Sequence, residues 1–111
     1  MNWTDELANT NTNLADYRAS QPETAQGFTA LHRGAMKPGL LDTKQKELIA
    51  LAIGIAQQCI DCIGFHVKAS VAAGASRDEI AETVSVCVMM GGGPSYMYGV
   101  KALEAYDQLC T

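Results

Sequence analysis

Apolar positions along this chain recur at three- and four-residue intervals and nowhere alternate over a useful length. The pattern predicts helices and no strands. Thr4 can cap a first helix, with Asp5 and Glu6 near its positive end, running to about Arg18. Ser20, Pro22 and Glu23 read as a capping box with proline in the first turn. The second helix then carries Phe28, Leu31 and Ala35 at helical spacing, and Gly34 with Lys37-Pro38-Gly39 ends it. Asp42 or Thr43 caps a third helix whose stretch from Glu47 to Gln57 is apolar on nearly every face. Such a helix is central, covered by other helices or by another subunit. Gln57, Gln58 and Cys59 break the pattern, and a fourth helix starts around Cys59 to Asp61 and runs to Ala73, with Gly74 as C-terminal cap. Ser76 and Glu79 form another capping box, opening a fifth helix with Ile80, Val84, Cys87 and Val88 on one stripe. Gly91-Gly92-Gly93 breaks that helix, and Pro94 opens a sixth through Val100, Leu103, Tyr106 and Leu109. No linker, repeat or low-complexity segment interrupts the series. The expectation is one all-α domain over residues 1–111, of about six helices joined by short turns.

Bulk properties narrow this picture. A chain of 111 residues builds a feasible but shallow core, and burial improves if subunits associate. With 48% hydrophobic and 18% charged residues the composition is globular and not disordered. A net charge of −4, with no Lys or Arg cluster, argues against a basic nucleic-acid surface. The longest apolar run, Leu48 to Ala56, is too short to span a bilayer. Residues Met1 to Asn13 are polar and lack a signal-peptide pattern, so a cytoplasmic location is expected. Four cysteines in such a chain are not a disulfide framework, and a Cys-x-x-Cys pair in a reducing compartment points to redox or metal chemistry.

The segment Cys59-Ile60-Asp61-Cys62-Ile63-Gly64-Phe65-His66 carries the candidate chemistry. On a helix, spacings of three, four and seven put Cys59, Cys62 and His66 on one face. The two sulfurs can reach each other across one turn, and the imidazole can reach the Cys62 thiol. A helix N-terminus supplies unpaired N–H groups and a positive dipole end, both of which stabilise a thiolate. A neighbouring imidazole can accept the thiol proton. The spacing thus supplies an attacking sulfur, a resolving sulfur and a base. Glu47, twelve residues before Cys59, can orient His66. By its own residue context, however, Glu47 reads first as an ordinary first-turn glutamate or a surface partner of Lys44.

Alternatives stand beside this reading. Cys59, Cys62, His66 and Glu47 are four potential zinc ligands, although no second Cys or His pair accompanies them, as structural zinc sites usually require. A small oligomeric metal-binding or interaction module is the non-enzymatic reading. Proton transfer by His66 and Glu47 alone is a non-redox one. His32 reads as structural or exposed, Cys87 as buried, and Cys110 as exposed. Gly91 to Gly93 lacks the Lys-Ser/Thr of a phosphate loop and fits a tight turn with close helix contact. Tyr96 and Tyr98 are candidates for a nearby pocket or an interface.

At these residues the chain resembles the carboxymuconolactone decarboxylase family, specifically its alkylhydroperoxidase AhpD-like branch. The resemblance rests on Glu47, eleven intervening residues, Cys59-x-x-Cys62, three more, then His66. It extends through Lys46-Glu47-Leu48-Ile49, Gly74-Ala75-Ser76, Glu79-Ile80 and Met90-Gly91-Gly92-Gly93-Pro94, over about residues 25 to 109. It implies an all-helical homo-oligomer, often a trimer or hexamer. It also implies a peroxidase that cycles a dithiol to a disulfide, with an external thiol or dithiol as reductant and no metal or organic cofactor. Carried over by position, Cys62 attacks the peroxide, Cys59 resolves, and His66 and Glu47 relay the proton. The well-studied members have a relay histidine just before the second cysteine, where this chain has Asp61. A carboxylate there either raises the Cys62 pKa or caps the helix and points away. The lactone-decarboxylating branch generally lacks the cysteine pair, which makes that activity the weaker enzymatic expectation.

Overall fold

The computed structural model describes residues 1–111 and is all-helical: α1 (Trp3–Ser20), α2 (Pro22–Met36), α3 (Thr43–Ala56), α4 (Ile60–Ala72) and α5 (Arg77–Leu109). Gly92 leaves helical geometry inside α5, with φ 69° and ψ −149°. It divides that element into arms 77–91 and 93–109, at the expected glycine break. The arms pack on each other closely: a Cβ on Gly99 would lie 2.6 Å from Val84 Cγ1.

Helix ends follow local chemistry, with two departures from expectation. Asn2, not Thr4, caps α1, its side chain accepting from the Asp5 N–H at 3.0 Å. Starting the helix earlier places Trp3 in its first turn and buries it completely. Trp3 Nε1–H donates to Glu104 at 2.6 Å, which fixes the chain start to α5. Ser20 is the last residue of α1 and makes no capping box. Gln21 caps α2 without a side-chain hydrogen bond, and Pro22 at the helix start is what remains of the expected signal. Asp42 caps α3 in a reciprocal box with Gln45, and Ser76 caps α5 in a box with Glu79.

The core is built by α3, α4 and both arms of α5, with Trp3 closing one end. Leu51, Ile55, Ile63, Val67, Ile80, Ala102 and Ala105 are fully buried. Helix α2 contributes nothing to it: Phe28 is 68% and Leu31 67% exposed. The outer faces of α3 and α5 also expose apolar side chains, among them Ile49, Ile53, Val86, Met89 and Met90. The accessible surface of 6820 Å² exceeds the roughly 5,900 Å² expected of a compact monomer of this mass. No helix is long and apolar enough to cross a membrane.

Candidate active site

The turn between α3 and α4 sets the site. Gln57 ends α3, and Gln58 adopts the left-handed region at φ 57°. The Gln58 N–H donates to Ile55 O at 3.1 Å, and the Cys59 N–H to Gly54 O at 2.9 Å. This pair of bonds is a Schellman closure. Cys59 is therefore held by the end of α3 and is simultaneously the N-cap of α4. Its sulfur accepts the Cys62 N–H at 3.2 Å. A carboxylate or hydroxyl usually fills that role; here a sulfur sits at the positive end of a helix.

Cys59 and Cys62 are joined as a disulfide, with Cα atoms 5.2 Å apart. Cys62 lies in the first turn of α4, where the close approach of α3 depends on Gly54. A Cβ on Gly54 would come within 3.0 Å of Cys62 Cβ. One turn further along α4, His66 Nδ1 lies 2.7 Å from Glu47 Oε2. Glu47 is only 6% exposed, so α3 presents a buried carboxylate to an imidazole that remains partly open to solvent. An ionised carboxylate only accepts hydrogen bonds, so the proton of a neutral imidazole sits on Nδ1. Nε2 is then the free, basic nitrogen. Cys62 and His66, four residues apart, share a face of α4.

Glu47 departs from the surface role that its residue context suggested. Lys44 does not pair with it: Lys44 Nζ bonds Glu79 at 2.7 Å. Helix α3 turns Glu47 inward, along the face that also carries Gly54.

Asp61 is engaged by α1. Its carboxylate accepts from Thr10 Oγ1 on α1 at 3.0 Å. Glu6, one turn before Thr10, is held above the usual glutamate range, first by its hydrogen bond with Asp61 and then by the charge of Asp61. Thr10 and Glu6 lie about fifty residues from Asp61 in the chain, and no local pattern announces them. Gly54 carried a fainter signal: a lone glycine inside an apolar helix marks close approach.

The remaining cysteines are different. Cys87 is buried, donates weakly to Ala52 O at 3.6 Å, and is pushed up in pKa by desolvation. Cys110 is half-buried, less open than expected, and burial raises its pKa too, with Lys68 opposing. His32 is exposed on α2. No three His, Cys, Asp or Glu side chains converge into a group that could hold a metal ion.

Comparison with known proteins fits this fold. Residues 22–105 match the model of the carboxymuconolactone decarboxylase family. A crystal structure of an apo carboxymuconolactone decarboxylase family protein from Legionella pneumophila is 44% identical, with a TM-score of 0.95 over 98% of this chain and 97% of its own. A family protein from Thermotoga maritima, described with a possible role in antioxidative response, is 27% identical. It has a TM-score of 0.82 over 94% of this chain and 89% of its own. An uncharacterized protein of Cupriavidus necator is 37% identical over 90 residues, covering 81% of this chain and 80% of its own length. The chain belongs to the carboxymuconolactone decarboxylase family.

Proposed function

We propose that this protein is an AhpD-like dithiol peroxidase that reduces peroxides through a Cys59–Cys62 thiol–disulfide cycle. The observation that carries the reading is the 2.7 Å bond between buried Glu47 and His66, one helical turn from a cysteine pair able to bond to itself. The antioxidative description of the Thermotoga maritima relative points the same way.

In the reduced protein, His66 Nε2 takes the proton of the Cys62 thiol, and Glu47 steadies the resulting imidazolium. The Cys62 thiolate attacks the terminal peroxide oxygen, the O–O bond breaks, and Cys62 becomes a sulfenic acid. The departing alkoxide or hydroxide takes the proton back from His66. The Cys59 thiol then attacks the sulfenic sulfur, forming the disulfide and releasing water. An external thiol or dithiol supplies two electrons and two protons to restore the dithiol. During opening, the Cys62 N–H and the helix end stabilise negative charge on the Cys59 sulfur. The cycle needs no metal or organic cofactor.

Asp61 is compatible with this scheme because its carboxylate is engaged by Thr10 and Glu6 of α1. Association of copies through the apolar outer faces of α3 and α5 accounts for the excess surface, as a trimer or hexamer in the cytoplasm. The test is peroxide consumption by the reduced protein with a dithiol reductant. Cys62→Ser should abolish it, and Cys59→Ser should allow one oxidation event without turnover. Unchanged consumption in Cys62→Ser would end the proposal.

A further inference from the structure

One buried group has no place in the peroxidase scheme. Ser70, on α4, is fully buried, and its hydroxyl makes no hydrogen bond. No other fully buried side-chain nitrogen or oxygen is left in that state. The usual outlet for a hydroxyl on a helix is the carbonyl four residues back. Thr12, Thr83 and Ser85 take it, donating to Ala8 O at 3.2 Å, Glu79 O at 2.9 Å and Ala81 O at 3.2 Å. Ser70 does not bond the His66 carbonyl in this way. A buried hydroxyl left unpaired destabilises a fold, so its burial calls for a partner.

The register of α3 and α4 points to that partner. The helices run antiparallel, with Gly54 against Cys62 at one end. Both rise equally per residue, so counting seven residues along each from that contact brings Glu47 level with Ala69, beside Ser70. Cys62, His66 and Ser70 follow at intervals of four, on one stripe of α4. The Glu47 carboxylate reaches this stripe at His66, through Oε2 at 2.7 Å. Its other oxygen, Oε1, accepts no hydrogen bond, although the residue is buried. Lys44, one turn away on α3, is held by Glu79 of α5 instead. A donor lacking an acceptor and an acceptor lacking a donor thus occupy the same level of the α3–α4 interface without meeting.

We infer that Ser70 is a positioning residue for the Glu47–His66 pair, linked to it by one buried water. The Ser70 hydroxyl donates to the water, and the water donates to Glu47 Oε1. Such bridges are ordinary where two buried polar groups fail to meet directly. The second hydrogen bond fixes the plane of the carboxylate. Oε2 then stays aimed at Nδ1, and Nε2 stays the free nitrogen. The value of this for peroxide reduction rests on the peroxidase reading, whereas the Ser70–Glu47 link does not.

The link is tested in the oxidised protein, where no turnover is involved. The imidazole nitrogen and ring-proton shifts of His66 are followed by NMR, with His32, exposed on α2, as internal control. Ser70→Ala should displace the His66 shifts and leave those of His32 in place. In the parent protein a long-lived water should cross-relax with the Ser70 side chain. Ser70→Ala should also lower Tm by about 4 °C, the worth of a buried hydrogen bond in a chain of this size. A merely orphaned hydroxyl predicts the opposite, because its removal is neutral or stabilising. Unchanged His66 shifts, a Tm equal to or above the parent's, or no bound water at Ser70 would each overturn the inference. In turnover, Ser70→Ala should lower kcat/KM for hydrogen peroxide roughly fivefold, the rate equivalent of one hydrogen bond. Displaced shifts with full turnover would overturn the positioning role. If the parent protein consumes no peroxide, the peroxidase reading falls, and the NMR shifts still decide the link.

Discussion

Helix α4 has two unlike sides. Toward α3 it meets a buried, closely packed surface, where Gly54 admits Cys62 and Glu47 reaches His66. Toward the second half of α1 and α2 it meets an open one, where Phe28 and Leu31 stand in solvent. The candidate chemistry faces the first side. The difference teaches a division of labour: geometry that must be held to a fraction of an ångström sits where backbone packing holds it. The side toward α2 is free of that constraint, and its apolar side chains stay open to solvent.

The most damaging way to break this contrast is to remove a chemical group from the packed side. His66→Ala should lower kcat/KM for peroxide on the order of 10²-fold, the usual worth of a general base. Glu47→Gln should also slow the reaction, because an amide can donate to Nδ1 and leave Nε2 protonated.

Glycine substitutions sharpen the same contrast through stability. Gly54→Ala would crowd Cys62, and Gly64→Ala would put a methyl 2.8 Å from Leu7 Cδ2 and 3.0 Å from the Trp3 ring. Each should cost about 1–3 kcal/mol in denaturant unfolding, as overpacked cores do. On the open side the sign reverses. Gly27 in α2 has nothing within 4 Å of its absent Cβ, so Gly27→Ala should stabilise by about 1 kcal/mol through helix propensity. Equal destabilisation by all three would contradict the distinction between the sides.

The smallest effect concerns Asp61. Glu6 is held above its ordinary value of 4.5, chiefly by its hydrogen bond with Asp61. The folded state therefore keeps a proton that the unfolded chain releases near pH 4.5. Stability from this group is full below that pH and declines as pH rises through the raised value. Glu79 runs the other way, lowered first by the Lys44 hydrogen bond, so its contribution is present above pH 4.5 and fades on acidification. Glu6→Gln should flatten the decline of Tm just above pH 4.5 and leave the acid limb in place.

What could be read from the sequence follows the same division. The cap at Asp42 or Thr43, the capping box at Ser76, the turn before Cys59 and the glycine break at 91–93 are local codes, and the helices fall where those codes put them. The thiol segment was legible because three residues on one short helix declare their own spacing. Glu47 was legible only through the family pattern. Its burial depends on which face of α3 meets α4, and a helix apolar all round does not announce that face. The Thr10–Asp61 bond and the Trp3–Glu104 bond arise from contacts far apart in the chain. Periodicity is silent about such contacts. Helix α1 starts ahead of Thr4 because burial of Trp3 outweighs the local capping preference for Thr4.

The central claim is that peroxide acts on this dithiol and stops at the disulfide. The direct measurement is titration of the fully reduced protein with hydrogen peroxide, followed by peptide mass spectrometry. The account predicts one Cys59–Cys62 disulfide per peroxide consumed, with Cys87 and Cys110 still thiols because burial keeps them protonated. Peroxide consumed without that disulfide, or oxidation spread evenly over all four cysteines, would contradict it.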